Sequence, residues 1–404
     1  MEILYEISRR LIKSTSIKFI RYLTNEINWD ARLIEITGSR GVGKTTLMLQ
    51  YIKTHYKRND NSVIYFSADD PYFYNESLID TIDKFVKHGG KRIFIDEVHK
   101  YLPKKEGTDW SGEIKAAYDR YPGLKIVYSG SSIINVKKGK GDLSRRVSPY
   151  FLPGMSFREY LEFNNILKHD AISLDDIIGN HTEISEGIIA KTTILNHFKD
   201  YIKHGYYAFY NEDKGNYYNR IKNTLNLTLE SDIPATIDVS FTGVRKIKKL
   251  LSVIATSVPY VPNLNKVKRQ LEIADHRTLL KYLSYLEMAE VINTVGSLRG
   301  AAIMKKPEKI LISNTNLCYA LGYDFVNTGS LREIFFVNQL NVNHSITLPK
   351  SGDYLIDGKY TFEIGGPGKS FDQIKDIDNS YLALDETETG IFNKIPLWLF
   401  GFLY

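Results

Sequence analysis

Ile36-Thr-Gly-Ser-Arg-Gly-Val-Gly-Lys-Thr-Thr46 is the stretch that decides the fold of this chain. Its spacing is Gly38-x4-Gly43-Lys44-Thr45; the apolar run Arg32-Leu-Ile-Glu-Ile-Thr37 precedes it, and helical spacing from Thr45 to Thr54 follows. Strand, glycine-rich turn and helix are the context a phosphate-binding loop requires. The glycines let backbone N–H groups turn inward around anionic oxygens, and the helix N-terminus adds partial positive charge. Gly38, Ser39, Arg40, Gly41, Val42, Gly43, Lys44, Thr45 and Thr46 are therefore the expected cradle. Lys44 is expected to reach the β- and γ-phosphates of a bound nucleotide, and the Thr45 hydroxyl to sit on Mg2+. A turn that merely links a strand to a helix has no use for Lys-Thr at this offset.

Working outward, Ser62-Val-Ile-Tyr-Phe-Ser67, Arg92-Ile-Phe-Ile-Asp96 and Leu124-Lys-Ile-Val-Tyr-Ser129 read as further short, buried strands. Between the first two, Ser77 to His88 has helical spacing and is stopped by Gly89-Gly90. Short apolar strands alternating with helices predict an α/β domain with a parallel sheet covered on both faces, placed at residues 1–160. Asp96, ending an apolar strand, suits a direct or outer-sphere Mg2+ ligand, and Glu97 is placed to orient or deprotonate an attacking water. Ser129, and after it Ser131, is the hydroxyl expected to hold that water or the γ-phosphate. Arg145 and Arg146 follow closely and are expected to supply charge to the transferring phosphoryl group, from this subunit or a neighbour.

Residues 161–240 read as helices and loops, a linker or lid without evident chemistry. From Gly243 three helices are predicted, at 244–257, about 264–271 and 276–290, followed by a hairpin from Ile292 to Ile312. That order is the winged-helix arrangement, assigned to 241–315. Leu279, Leu283 and Leu286 should face its core, with Asp275 as N-cap. Residues 241–312 carry 13 Lys/Arg against 5 Asp/Glu, so duplex DNA is the expected partner there. His276 or Arg277 would lead into a major groove with Lys281 on the same outward face, and Lys248 and Lys249 would grip backbone phosphates. Residues 321–404 reverse the balance, with 6 basic against 11 acidic residues, which suits a protein partner at 316–404 better than nucleic acid. Strands are predicted at Asp353–Ile356, Tyr360–Ile364 and Leu397–Leu403, with helices at Leu331–Leu340 and near Phe371–Leu382.

Over 404 residues, 43% hydrophobic and 25% charged content is that of an ordinary globular protein of more than one domain. A single cysteine, Cys318, excludes an internal disulfide and a cysteine-built zinc site. No apolar run approaches the ~18 residues of a membrane span, and the first residues lack the apolar core of a signal peptide. A cytoplasmic location without membrane contact is expected, with oligomers possible.

Several segments together resemble the AAA-type P-loop ATPases that carry a winged helix and a nuclease-like C-terminal domain of unknown function, in that order. They are residues 36–46, Phe94-Ile-Asp-Glu-Val-His99, Tyr128-Ser-Gly-Ser-Ser132, and Asp142-Leu-Ser-Arg-Arg146 followed by Leu152-Pro-Gly-Met-Ser-Phe-Arg-Glu-Tyr160. Ser231-Asp-Ile-Pro234 and Thr278 to Glu287 continue the likeness. The resemblance implies ATP rather than GTP, an arginine of the Ser-Arg-Arg motif near the nucleotide, and a degenerate restriction-endonuclease-like domain at 316–404. There Glu333, Asp353 and Glu363 fall where metal-binding acids belong, but Gly365 holds the position of the lysine, leaving Lys369 to arrive from a loop. The leading expectation is an ATPase coupling nucleotide state to a DNA-contacting winged helix. The alternatives are a nucleotide-gated protein-binding switch and a metal-dependent DNA nuclease.

Overall fold

A computed structural model of the chain describes residues 1–104, 109–132, 143–256, 259–273, 275–296, 306–322 and 327–404. They form two compact units, Met1–Pro153 with Glu230–Val239, and Gly154–Leu229 with Ser240–Tyr404.

In the first unit, β1 (Leu33–Thr37), β2 (Val63–Ser67), β3 (Arg92–Asp96), β4 (Lys125–Gly130) and β5 (Ser148–Phe151) make one parallel sheet, in the order β2-β3-β4-β1-β5. Every residue of β1 and β3 is buried, as strands covered on both faces require. Leu33, Ile64, Ile93, Ile95 and Ile126 share one core with Leu4, Leu78, Ile82, Phe85, Trp110 and Ile114 from flanking helices. Each such side chain contributes about 1.5–3 kcal/mol by leaving water. The Leu78–Lys87 helix begins where the Ser77 hydroxyl accepts from the Asp80 N–H. It ends at Gly89, whose φ of +87° a residue with a Cβ would resist. β5 gave no clear signal in the sequence; its Ser-Pro-Tyr-Phe alternates in exposure, and Pro149 is tolerated because the strand lies at the sheet edge.

Because all five strands run the same way, their C-terminal ends line up along one edge. β4 lies between β1 and β3, with Ile36 opposite Ser129 and Tyr128 opposite Ile95. The sheet order therefore puts Ser129 between the turn after β1 and the acids after β3.

The second unit contains helices Leu174–Ile189, Ile194–His204 and Tyr217–Leu227. Helices Phe241–Ala255, Leu264–Gln270 and His276–Met288 then precede an antiparallel pair, β6 (Ile292–Val295) and β7 (Lys309–Ile312). Tyr260 adds a bridge to Ile310. Asp275 accepts from the Arg277 N–H at 3.0 Å to start its helix, and Leu279, Leu283 and Leu286 are buried. After the Thr328–Leu340 helix comes a mixed sheet of β8 (Ile346–Thr347), β9 (Tyr354–Ile356), β10 (Tyr360–Gly365), β11 (Ser380–Leu384) and β12 (Lys394–Pro396), ordered β12-β11-β10-β9-β8. β8 to β10 pair antiparallel, and β10 to β12 parallel.

Two expectations fail here. Leu397–Phe402 is a buried 3-10 helix rather than a strand; a short, wholly apolar run carries no period by which to choose. The helix expected near Phe371–Leu382 is turns followed by β11.

Candidate functional site

The turn from β1 to the Lys44–His55 helix takes its shape from glycines. A Cβ on Gly38 would lie 2.3 Å from the Leu152 carbonyl oxygen, so no other residue fits. Gly41 and Gly43 have φ of +83° and +102°, which turn successive N–H groups toward one side. Arg21, buried, fastens the loop from behind, donating to the Val42 carbonyl at 2.6 Å and to the Pro153 carbonyl at 2.8 Å. Nothing in the sequence around Arg21 announced that role.

Lys44 is buried, and its ammonium donates to the carbonyls of Gly38 at 2.8 Å and Ser39 at 3.0 Å. Burial lowers its pKa, while Glu97 and Asp96 pull the other way. The Thr45 hydroxyl donates to Asp96 Oδ2 at 2.5 Å, and the Tyr65 hydroxyl to the same oxygen at 2.8 Å. Ser129 donates to Asp96 Oδ1. The Ser129 proton is thus committed to Asp96, and its oxygen also accepts from the Glu97 N–H at 3.3 Å. Ser129, expected to hold the attacking water or the γ-phosphate, makes its contacts to the two acids. Ser131, just past the end of β4, is buried, and the hydroxyl of Ser132 beside it makes no hydrogen bond.

Glu97 adopts the left-handed region, φ 53° and ψ 40°, a conformation that costs a non-glycine residue of order 1 kcal/mol or more. Its Oε2 is buried and accepts no hydrogen bond. Three side chains nonetheless ring it: Lys100 Nζ at 3.3 Å, His99 Nε2 at 3.5 Å and Arg40 Nη2 at 3.8 Å. Burial raises the pKa of this carboxyl, but Lys44, His99, Lys100 and Arg40 outweigh it and hold the group below the ordinary 4.5. Glu97 is therefore an ionised carboxylate whose Oε2 faces cations yet accepts no hydrogen bond.

Asp232 enters from far along the chain. Its carboxylate accepts from Arg40 Nε and Nη2, both at 2.5 Å, and lies 3.5 Å from His99 Nε2. Only the Ser231-Asp-Ile-Pro234 likeness hinted at this residue, and no local pattern gave it a role.

Arg145 and Arg146 are not brought to this site within one subunit. Ser148, just after them, pairs with Ile34 near the start of β1, whereas the phosphate loop follows its end. The separation is about five strand residues, roughly 16 Å. Arg146 instead faces Asp119 at 3.3 Å, and Arg145 is exposed. Ser129 lies at the C-terminal end of β4, whereas Arg145 and Arg146 precede the start of β5, so nearness in sequence does not become nearness in space within one subunit. Asp142 lies outside the described residues. A cavity of about 590 Å³ lined by Arg9, Lys13, Lys53, Lys57 and Arg58 is separate again, at the far end of the Lys44–His55 helix. Its cations cluster where that helix and Glu2–Ser14 end, as helix dipoles favour.

In the second unit, Arg277, Lys281 and Lys249 are exposed and His276 is half-buried, while Lys248 donates to Asn226 Oδ1 at 3.0 Å. In the C-terminal sheet, Lys369 Nζ meets Glu363 Oε1 at 2.5 Å, and Glu363 Oε2 is buried without a hydrogen bond. A Cβ on Gly365 would lie 2.6 Å from Lys369 Cβ, so the glycine makes room for the lysine to cross. Glu333 pairs with Lys309 and accepts from Tyr354, and Asp353 accepts from the Ile364 N–H. Among the described residues no group of three or more His, Cys, Asp or Glu side chains is arranged to hold a metal.

Comparison with known proteins agrees with the first unit. A family profile described as an AAA domain matches residues 30–161, and one described as a domain of unknown function (DUF8612) matches 195–327. An uncharacterized protein of Methanocaldococcus jannaschii, MJ1637, is 27% identical over 281 residues, covering 68% of this chain and 58% of that protein. The chain thus spans little more than half the length of that relative. Similar solved structures include the Walker-type ATPase PABY2304 of Pyrococcus abyssi (TM-score 0.40, 12% identity, 79% of this chain and 96% of that one). Another is the ORC1 protein of Aeropyrum pernix in complex with DNA (TM-score 0.31, 12% identity, 78% and 91%). A third is AMPPCP-bound DnaA of Aquifex aeolicus (TM-score 0.27, 15% identity, 70% and 88%). The parallel sheet with its glycine-rich turn is consistent with a P-loop NTPase domain, and no helix among the described residues is long and apolar enough to cross a membrane.

Proposed function

We propose that the chain binds ATP with Mg2+ at the 38–46 loop, hydrolyses it, and couples the cycle to a DNA-contacting winged helix at 241–312. One observation supports hydrolysis most: the buried Glu97 oxygen without a hydrogen-bond donor, set beside the Thr45–Asp96 pair and Lys44. The residues fit the nucleotide. Inward N–H groups of the loop suit phosphate oxygens, and Lys44 exchanges two carbonyl contacts for charged ones. Thr45 and Asp96 offer hard oxygen donors to Mg2+, which when bound neutralises charge on the phosphates. Glu97 orients a water and takes its proton as the oxygen bonds to the γ-phosphorus; the bond to the β–γ bridging oxygen breaks, leaving ADP and phosphate. Ser129 and Tyr65 keep Asp96 in place.

For the DNA contact, the support is the net basic charge of 241–312, the buried Leu279-Leu283-Leu286 face, and the exposed Arg277 and Lys281 of the same helix. Steady-state ATP hydrolysis, with and without duplex DNA, tests the reading. Turnover that requires Lys44 and responds to DNA supports it; absence of turnover in both conditions would leave the chain a nucleotide-gated binding switch.

A second reading, metal-dependent DNA cleavage, draws on the passage of Lys369 over Gly365 onto Glu363, which restores the lysine the sequence lacks at its usual place. Against it, Glu333 and Asp353 are each engaged by protein donors. Labelled duplex incubated with Mg2+ or Mn2+ decides: product that disappears in Glu363→Gln supports cleavage, and intact DNA removes it.

A further inference from the structure

The first unit draws one short segment from beyond residue 153, Glu230–Val239, and the chain on both sides of that segment belongs to the second unit. Asp232 ends a π-helical turn, Thr228–Asp232, a rare geometry frequent at functional positions. The acid is almost wholly buried, and Ile233 after it is fully so. A buried carboxylate is costly unless paired, and this one is paired with a residue inside the phosphate loop.

Arg40 has five N–H donors on a rigid fork. Asp232 engages one on Nε and one on Nη2, leaving three. The same Nη2 is 3.8 Å from Glu97 Oε2, so the guanidinium lies beside the proposed base, at the end of the site where the γ-phosphate must fall. Without Asp232, Arg40 would be drawn onto Glu97, the nearest other carboxylate, and a tight pair there would quench the base. His99, within 3.5 Å of both carboxylates and making no hydrogen bond through either ring nitrogen, fills the space between them.

We propose that Asp232 is a positioning residue that holds Arg40 off Glu97 and aims its remaining donors at the γ-phosphate, so that Arg40 is the arginine acting on the transferring phosphoryl group and turnover requires the 230–239 segment to be seated. This rests on the ATPase reading above. Charge accumulating on the γ-phosphoryl oxygens as the bond to the bridging oxygen breaks meets the guanidinium, and the water proton still goes to Glu97.

The test uses the full chain, with ATP affinity from a fluorescent ATP analogue and single-turnover hydrolysis of ATP. Asp232→Asn is expected to cut the hydrolysis rate ~100-fold, the scale of a misplaced catalytic group, while affinity changes less than about threefold. Arg40→Lys should lose as much, because an ammonium cannot make the paired contact, and the double variant should be no slower than either single one. Asp232→Glu should recover part of the rate. A second pair, Arg40→Met with Asp232→Leu, removes both charges together; if Asp232→Asn does not fold, this folded pair is expected to show the same loss of hydrolysis as Arg40→Lys. Hydrolysis at the wild-type rate in folded Asp232→Asn, or losses that multiply in the double variant, would overturn the proposal. Failure of the wild-type chain to bind ATP would overturn the ATPase reading itself, a different and distinguishable result.

Discussion

The Thr45 hydroxyl donates to Asp96 Oδ2 across 2.5 Å, tying the helix after the phosphate loop to the strand that carries the acids. These residues stand 51 positions apart in the chain, and only the sheet order brings them together. Hydroxyl and carboxylate are the two donors a nucleotide-bound Mg2+ takes from a protein of this kind. The cation would therefore find its ligands preassembled.

From that arrangement, Lys44→Ala is expected to abolish ATP binding at micromolar nucleotide, since the ammonium supplies the charge on the phosphates. Glu97→Gln should bind ATP as the wild type does and lose hydrolysis, by roughly 10²–10⁴-fold for a general base. Titration calorimetry beside a phosphate-release assay separates the two, and wild-type turnover by Glu97→Gln would take the base assignment away.

The same carboxyl sets a pH dependence. Glu97 is held below 4.5 by its cationic neighbours, so it stays ionised through neutral and mildly acidic pH. The acid limb of the turnover profile is expected to fall below that value, and a limb centred near pH 6 would assign the base elsewhere.

Stability should respond to acid through Asp232. Burial pushes its pKa up, but the Arg40 contacts and His99 more than reverse this and hold it at about 2, against 3.8 ordinarily. Its folded-state value being the lower, the stabilisation is present above 3.8 and disappears as pH falls toward 2. The amount is about 2 kcal/mol. Denaturant midpoints measured from pH 5 down to 2 should fall more steeply for the wild type than for Arg40→Lys/Asp232→Asn. Parallel curves would mean that the pair contributes nothing.

Arg145→Ala and Arg146→Ala are expected to leave turnover nearly unchanged in dilute protein, since both residues lie at the other edge of the sheet from the loop. A ~10³-fold loss, with turnover per chain rising as protein concentration rises, would place one of them in the site of a neighbouring subunit.

For the basic region, binding of the full chain to duplex DNA should weaken with salt with a slope near −4 to −5, about −0.9 for each of four to six phosphates. Lys249→Glu with Lys281→Glu should flatten the slope, and Arg277→Ala should alter sequence preference. Lys248 already donates to Asn226 and should matter less. No binding at low salt in any nucleotide state would end the DNA reading.

What the sequence disclosed follows physical range. Gly38 to Thr46 and Asp96-Glu97 were legible because each motif is contiguous and ends or follows an apolar strand. The same logic located the helix at 276–288, whose leucines repeat at helical spacing. Asp232 and Arg21 were not legible, since their partners lie 192 and 21 residues away and ordinary loop composition surrounds them. For Arg145 and Arg146 the same-subunit alternative was illegible for the converse reason: nearness in sequence does not say at which end of a strand a residue lies. Lys369 was half visible, because a glycine at the lysine position looks like a loss until the crossing side chain is seen.

The membership of residues 230–239 in the first unit bears on how this molecule can be dissected. A polypeptide stopped near residue 160 would keep every recognisable nucleotide motif yet strip Arg40 of its carboxylate. Such a fragment would be an inaccurate stand-in for the intact protein. Adding the missing decapeptide in trans, as a separate synthetic chain, offers a way to reconstitute the nucleotide site and to measure directly how strongly it prefers to be whole.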